Sequence, residues 1–177
     1  MTLHPASSIP FETRTITGWG RTSPVVARVL RPYNVEPLQD FIREAPPQSL
    51  IPRGLGRSYG DASQRRDAAV VDLSAFNRIM LHPDNATVTA GSGVSLQEVL
   101  RVIVPSGFFL PFIPGTRNVT VGGAIATDVH GKNHHVNGSF GNQGLLRKPN
   151  RLQRNLSQRS RGVKLATNRA IVGCCNC

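Results

Sequence analysis

Residues 114–135 read Pro114-Gly115-Thr116-Arg117-Asn118-Val119-Thr120-Val121-Gly122-Gly123-Ala124-Ile125-Ala126-Thr127-Asp128-Val129-His130-Gly131-Lys132-Asn133-His134-His135. Pro114 to Asn118 is a turn by composition, and Thr120 to Ala126 is rich in small residues, which let backbone approach a neighbour closely. Thr116 and Thr120 supply hydroxyls. A helix starting near Thr120 would aim its N-terminal dipole at an anion, and Gly122-Gly123 would let a flat or charged ligand lie against the main chain. Gly-Gly-Ala is equally what tightly packed helices use, so both readings stand for that segment. The loop that follows favours chemistry: His130, Lys132, His134 and His135 place four titratable side chains in six residues, which packing seldom needs.

Upstream, Arg53-Gly54-Leu55-Gly56-Arg57-Ser58-Tyr59-Gly60-Asp61 follows the strand-like Leu50-Ile51-Pro52. Its glycines permit positive φ angles and bare the backbone N–H groups, while Arg53, Arg57 and Ser58 add positive charge and a hydroxyl donor. The combination suits a pyrophosphate. A flexible surface turn is the competing reading, because G-x-G alone is a weak signal. The Rossmann fingerprint is a different pattern, since no G-x-G-x-x-G opens a helix here.

Working outward, residues 13 to 17 and Val25 to Leu30 read as strands separated by the Gly18-Trp19-Gly20 loop. Asn34 is placed to cap a helix running to about Ala45, with Leu38, Phe41 and Ile42 on one face and Pro46-Pro47 as its stop. Ala69 to Leu73 and Thr87 to Ala90 are short strands. Ser95 and Glu98 form a capping box at the start of a helix whose face is Leu96, Val99, Leu100 and Ile103, ended by Pro105 and Gly107. Strands alternating with helices predict a mixed α/β (α+β) domain.

The formal charge is +11, but its distribution decides its meaning. Residues 1–142 carry 13 Lys and Arg against 10 Asp and Glu, whereas residues 143–177 carry 8 basic residues and no acid. A nearly neutral body therefore bears a basic tail. Its charge makes binding of nucleic acid or an anionic membrane the alternative to an enzymatic role, against which stand the lack of any aromatic residue for stacking on bases and of a sustained amphipathic period. Cys174, Cys175 and Cys177 also lie in the tail, in a pattern that is neither a disulfide framework nor a paired zinc motif. No metal is expected, although His130 and His134 have the i, i+4 spacing of a helical ligand pair. No apolar run has the length of a transmembrane helix and no secretory signal opens the chain, so the expected location is cytoplasmic, with envelope association as the variant.

The two constellations, in this order and followed by Gly138-Ser139-Phe140-Gly141-Asn142, resemble the flavin-dependent oxidases of the vanillyl-alcohol oxidase type, whose FAD-binding fold is also called the p-cresol methylhydroxylase (PCMH) type. Within that superfamily they are most similar to the branch that oxidises decaprenylphosphoryl ribose for cell-wall arabinan. The resemblance covers roughly residues 14 to 142 and implies the N-terminal portion of a PCMH-type domain. It implies that Arg53, Gly54, Leu55, Gly56, Arg57, Ser58 and Tyr59 wrap the FAD pyrophosphate. Gly115, Thr116, Arg117, Thr120, Gly122, Gly123 and Ala126 would continue that cradle, and Val129, His130 and Gly131 would reach the isoalloxazine. His130 and Lys132 are the implied catalytic residues, one or the other handling the proton of a hydroxyl whose carbon gives up a hydride. Covalent members carry a histidine in the first loop where this chain has Arg57, so the implied FAD is non-covalent, with a guanidinium suited to phosphate oxygens. The implied partners are a lipid-linked sugar substrate and an NAD-dependent reductase.

The pattern stops at Asn142. The expected organisation is a flexible segment over 1–12, a partial FAD-binding domain over 13–142, and a disordered basic tail over 143–177. The abrupt change in composition is what a shifted reading frame produces, and such a truncated form would bind FAD weakly.

Overall fold

The computed structural model describes residues 9–111 and 114–140, together with two short strands at 144–145 and 164–166. The chain divides into two compact units, Met1–Phe76 and Asn77–Cys177.

The first unit is built on a four-stranded sheet. β1 (Phe11–Ile16) and β2 (Val25–Leu30) are antiparallel, with Phe11 opposite Leu30 and Ile16 opposite Val25. Phe11 and Glu12 thus belong to the sheet, two residues before the expected strand start. The alternation of β2 turns Ala27 and Val29 inward and leaves Val26 and Arg28 outside, where the Arg28 guanidinium lies 4.7 Å from the Phe11 ring centre. α1 (Val35–Glu44) follows Asn34, whose side chain makes no capping bond, and ends at Ala45 ahead of the two prolines. Of the expected apolar face only Leu38 is buried; Ile42 is exposed.

β3 (Leu50–Arg53) and β4 (Ala69–Asp72) then pair in parallel, and β4 also pairs in parallel with β2, giving the order β1-β2-β4-β3. Parallel neighbours need a crossover, because the chain must return to the starting end of the sheet. Residues 54–68 are that crossover, and they contain the first glycine-rich loop. Ile16, Ala27, Val29 and Val70 form the buried centre of the unit.

The second unit opens with a hairpin, β5 (Ile79–His82) and β6 (Thr87–Ala90), turned through Ala86 in a left-handed conformation. α2 (Leu96–Ile103) begins with the expected capping box: the Ser95 hydroxyl accepts from the Glu98 N–H, and the Glu98 carboxylate accepts from the Ser95 N–H at 2.7 Å. α3 (Val121–Ala126) and the four-residue α4 (His134–Asn137) complete the helices described. Val88, Val94, Leu96, Val99, Ile103, Val121, Ala124 and Phe140 are fully or almost fully buried together. Each of the larger side chains contributes about 1.5–3 kcal/mol by leaving water.

β7 (Gly144–Leu145) and β8 (Lys164–Ala166) lie in the segment expected to fall outside the fold. They pair in parallel with each other, and β8 pairs in parallel with β6. The rest of that tail, including the cysteines and most of its basic residues, lies outside the described residues.

Candidate functional site

In the first unit, the site begins where β3 ends. From Gly54 to Gly60 no backbone N–H donates to a described residue. Gly56 and Gly60 have positive φ angles of 63° and 59°, conformations glycine adopts without the strain other residues meet. Successive unpaired amides in a turn conformation are what an anion-binding nest is built from.

Arg53 holds this loop from beneath. Its Nη1 donates to the Ser63 carbonyl at 3.0 Å and to the Ser63 hydroxyl at 3.1 Å, and its Nη2 donates to the Thr17 carbonyl at 2.6 Å. Burial lowers the Arg53 pKa from its ordinary value, with the charge of Arg14 acting in the same direction and that of Asp72 opposing both. The Arg53 side chain, expected to meet a phosphate, is thus committed to the protein's own carbonyls.

The β1–β2 connection braces the same loop, a contribution that sequence reasoning missed. Trp19 N–H donates to the Ser58 carbonyl at 3.1 Å, and the Gln64 side-chain amide donates to the Ser23 carbonyl at 2.6 Å. Trp19 and Tyr59, both exposed, meet edge to face with ring centres 5.7 Å apart. Arg57 is exposed, and its side chain forms no ion pair or hydrogen bond with a described residue. Among the loop's basic side chains it is the one left for a ligand.

In the second unit, the strand-like pairing of residues 94–97 with 117–121 brings the second constellation together. Leu96 N–H donates to the Val119 carbonyl, Gln97 N–H to the Arg117 carbonyl and Val121 N–H to the Val94 carbonyl. This pairing corrects the expectation for the start of α3. Gly122 N–H donates to the Ser92 carbonyl at 2.9 Å and Gly123 N–H to the Thr120 hydroxyl at 3.1 Å, so the first amides of this six-residue helix are already used within the protein. Thr120 is buried as the helix cap. Gly122 packs so closely that a β-carbon there would lie 3.0 Å from both the β-carbon and the carbonyl oxygen of Ser92. For Gly122 the close-packing reading describes what the structure shows. Gly123 and Ala126 are exposed.

The turn before α3 is different. The N–H groups of Gly115, Thr116 and Arg117 donate to no described residue, and open space surrounds the α-carbon of Gly115 on its side-chain side. The Thr116 hydroxyl accepts from Asn118 N–H at 3.1 Å and keeps its own proton to donate; Arg117 Nε donates to the Gln97 side chain at 3.1 Å.

After α3 the chain reverses through Asp128, whose φ is 44°. His130 pairs with Ser139 across an isolated bridge, and Phe140 N–H donates to the Val129 carbonyl at 2.8 Å, which roots the polar loop in the core through Phe140. An open cavity of about 740 Å³ results, lined by Phe109, Leu110, Pro111, Pro114 and Gly115 and by the run from His130 to His134. Asn133 ties its two sides together by donating to the Pro111 carbonyl at 3.0 Å. His130, Gly131 and Lys132 therefore share one cavity with Gly115, on walls that are apolar at Phe109 and Leu110. His134 lies 5.1 Å from His130 and 5.8 Å from His135 between ring centres. The i, i+4 pair does not share a helix, since α4 begins only at His134, and no cluster of three or more metal-binding side chains occurs among the described residues. No helix among them is long and apolar enough to cross a membrane.

The family described as FAD binding domain matches residues 26–145. The chain is 44% identical to decaprenylphosphoryl-beta-D-ribose oxidase of Mycolicibacterium smegmatis over 140 residues, covering 77% of this chain and 30% of that protein. It is 38% identical to L-gulonolactone oxidase 3 of Arabidopsis thaliana over 66 residues, 37% of this chain and 11% of that one. Among solved structures, the His121Ala mutant of cholesterol oxidase from Brevibacterium sterolicum aligns with a TM-score of 0.63 at 18% identity, covering 70% of this chain and 25% of the other. An alkyldihydroxyacetonephosphate synthase aligns with a TM-score of 0.56 at 18% identity, over 68% and 26% of the two chains. These likenesses show the mixed α/β PCMH-type fold, and the chain spans under a third of the length of these relatives. A run of unpaired amides fits a phosphate-bearing cofactor, and with the family match covering most of the chain the conclusion is that this chain belongs to the FAD binding domain family and that its cofactor is FAD.

Proposed function

We propose that the chain is the FAD-binding part of an oxidoreductase that oxidises a sugar or alcohol hydroxyl, with a lipid-linked ribose such as decaprenylphosphoryl ribose as the substrate class. The relative's name supports the substrate, and the resemblance of residues 14–142 supports the reaction. The observation that carries the cofactor reading is the amide run from Gly54 to Gly60. FAD presents an anionic diphosphate and a flat ring system. The amides of Gly54 to Tyr59, with Arg57, suit the first. The cavity at Gly115, His130, Gly131 and Lys132 suits the second, with the unpaired amides of Thr116 and Arg117 following Gly115 in the chain and Val129 preceding His130. Thr120 and Gly122 serve this reading by capping and packing α3, while Gly123 and Ala126 enter it through the family resemblance alone.

When bound, FAD supplies a hydride acceptor. The protein's own share is to exclude water with Phe109 and Leu110 and to take the hydroxyl proton, a role assigned to His130 or Lys132. With a non-histidine residue at position 57, attachment is non-covalent. The reductase partner, the envelope association and a truncated, weakly active form remain part of the same proposal.

Titration of the chain with FAD and, separately, with riboflavin tests the reading by flavin fluorescence. FAD should bind and riboflavin should bind far more weakly, because it lacks the diphosphate that the amides receive. Equal affinity for the two, or none for either, would overturn the assignment.

A further inference from the structure

The first glycine loop has no regular secondary structure, yet its amides are unpaired and its φ angles unusual. A loop left to itself would collapse onto its own carbonyls or fluctuate, and ordering it on binding would cost affinity. Something must hold it open. Arg53 stands at the end of β3, immediately before the loop, and reaches Ser63 beyond it and Thr17 on the β1–β2 connection. Its guanidinium also fills the space over Gly56: a β-carbon at that position would lie 2.3 Å from Arg53 Nη2.

We propose that Arg53 is a positioning residue that shapes the phosphate nest before any ligand arrives. Its guanidinium ties Ser63, beyond the loop, to Thr17 on the β1–β2 connection, and packs on Gly56 so that residues 54–60 keep their N–H groups unpaired. The part of the ligand recognised is a diphosphate, and recognition is by main chain, with the arginine acting through the loop. This deepens the flavin reading and rests on it for the ligand's identity, but not for the loop's order.

Three features make a guanidinium necessary. The planar fork donates to two carbonyls and a hydroxyl at once, which a lysine ammonium on a flexible stem cannot match in geometry. The bonds are charge-assisted, roughly twice as strong as neutral ones. The position is partly buried, so the contacts are not exchanged freely for water.

The test uses the full 177-residue chain, isotopically labelled, as wild type and as Arg53→Met, Arg53→Lys and Gly56→Ala. The last substitution attacks the same contact from the loop side and serves if Arg53→Met does not fold. Backbone order at residues 54–60 is measured by NMR relaxation without ligand, and inorganic pyrophosphate and FAD are then titrated in. All three variants should lose order at 54–60 while residues 115–131 keep theirs, and apparent affinity for pyrophosphate should fall about tenfold. Guanidinium chloride well below denaturing concentration should restore order in Arg53→Met, which a loss of global stability alone would not allow. Unchanged loop order in Arg53→Met or Gly56→Ala would overturn the proposal. If wild type shows the ordered loop and binds pyrophosphate but not FAD, the positioning role stands and the flavin reading falls.

Discussion

A β-carbon on Gly18 would sit 2.2 Å from the carbonyl oxygen of Gly60. The contact is with main chain on both sides, so no side chain can turn away to relieve it. Gly18→Ala should therefore push the β1–β2 connection off the first loop, breaking the Trp19–Ser58 hydrogen bond, at a cost of about 1–3 kcal/mol. Thermal or urea unfolding measures it; a variant as stable as wild type would show that Gly18 and Gly60 are not in close contact.

Gly122 and Gly115 separate packing from binding. Gly122→Ala gains helix propensity worth up to about 1 kcal/mol, but its new methyl meets the Ser92 carbonyl oxygen and β-carbon at 3.0 Å, and steric cost should win. Gly115→Ala meets nothing within 4 Å and should change stability by less than about 0.5 kcal/mol while weakening FAD binding, because the methyl stands in the cavity wall. Melting temperatures and flavin titrations on the two variants decide the matter, and equal loss of stability in both would contradict the assignment.

Arg57 should behave as a ligand contact. Its side chain is exposed and makes no ion pair with a described residue, so Arg57→Ala is expected to leave the unfolding midpoint unchanged. FAD affinity should drop about tenfold, as for loss of one charge-assisted hydrogen bond. An unchanged dissociation constant would remove Arg57 from the site.

The capping box of α2 carries a pH dependence. The Ser95 hydroxyl, and after it the Ser95 N–H, hold the Glu98 carboxyl below its ordinary pKa. A depressed folded-state value means that the stabilisation is present above the unfolded-state pKa and disappears as pH falls through the folded one. Ser95→Ala should cost about 1 kcal/mol at neutral pH. Glu98→Gln should be less stable than wild type at neutral pH, and the difference should shrink in acid; a gap that is constant with pH would argue against the ionised cap.

Much of this architecture is readable from local pattern. β2, β4, β6 and α2 follow from alternation, apolar runs and the S-x-x-E signature, all of which act within a few residues. β5 escapes such reading because Ile79-Met80-Leu81 has no alternation and only four residues in which to show it. The fate of the Val121, Gly122 and Gly123 amides is hidden for a different reason: two of their three acceptors, Val94 and Ser92, lie well upstream, and nothing near α3 announces them. The same holds for Arg53, which looks like a ligand contact in sequence because Thr17 and Ser63 come to it only in the fold. The polar loop from His130 to His134 stands out in the sequence by its density of titratable side chains, but its shared cavity with Gly115 depends on Asn133 and Phe140, which bond to distant or later parts of the chain.

β3 and β4 point the same way and lie side by side, so the stretch with the unpaired amides is also the road by which the chain gets back to the starting end of the sheet. Its spelling can drift, but its length cannot be cut much, because a shorter path would force one strand to turn round. Variants of this loop should therefore trade one side chain for another far more readily than they lose residues.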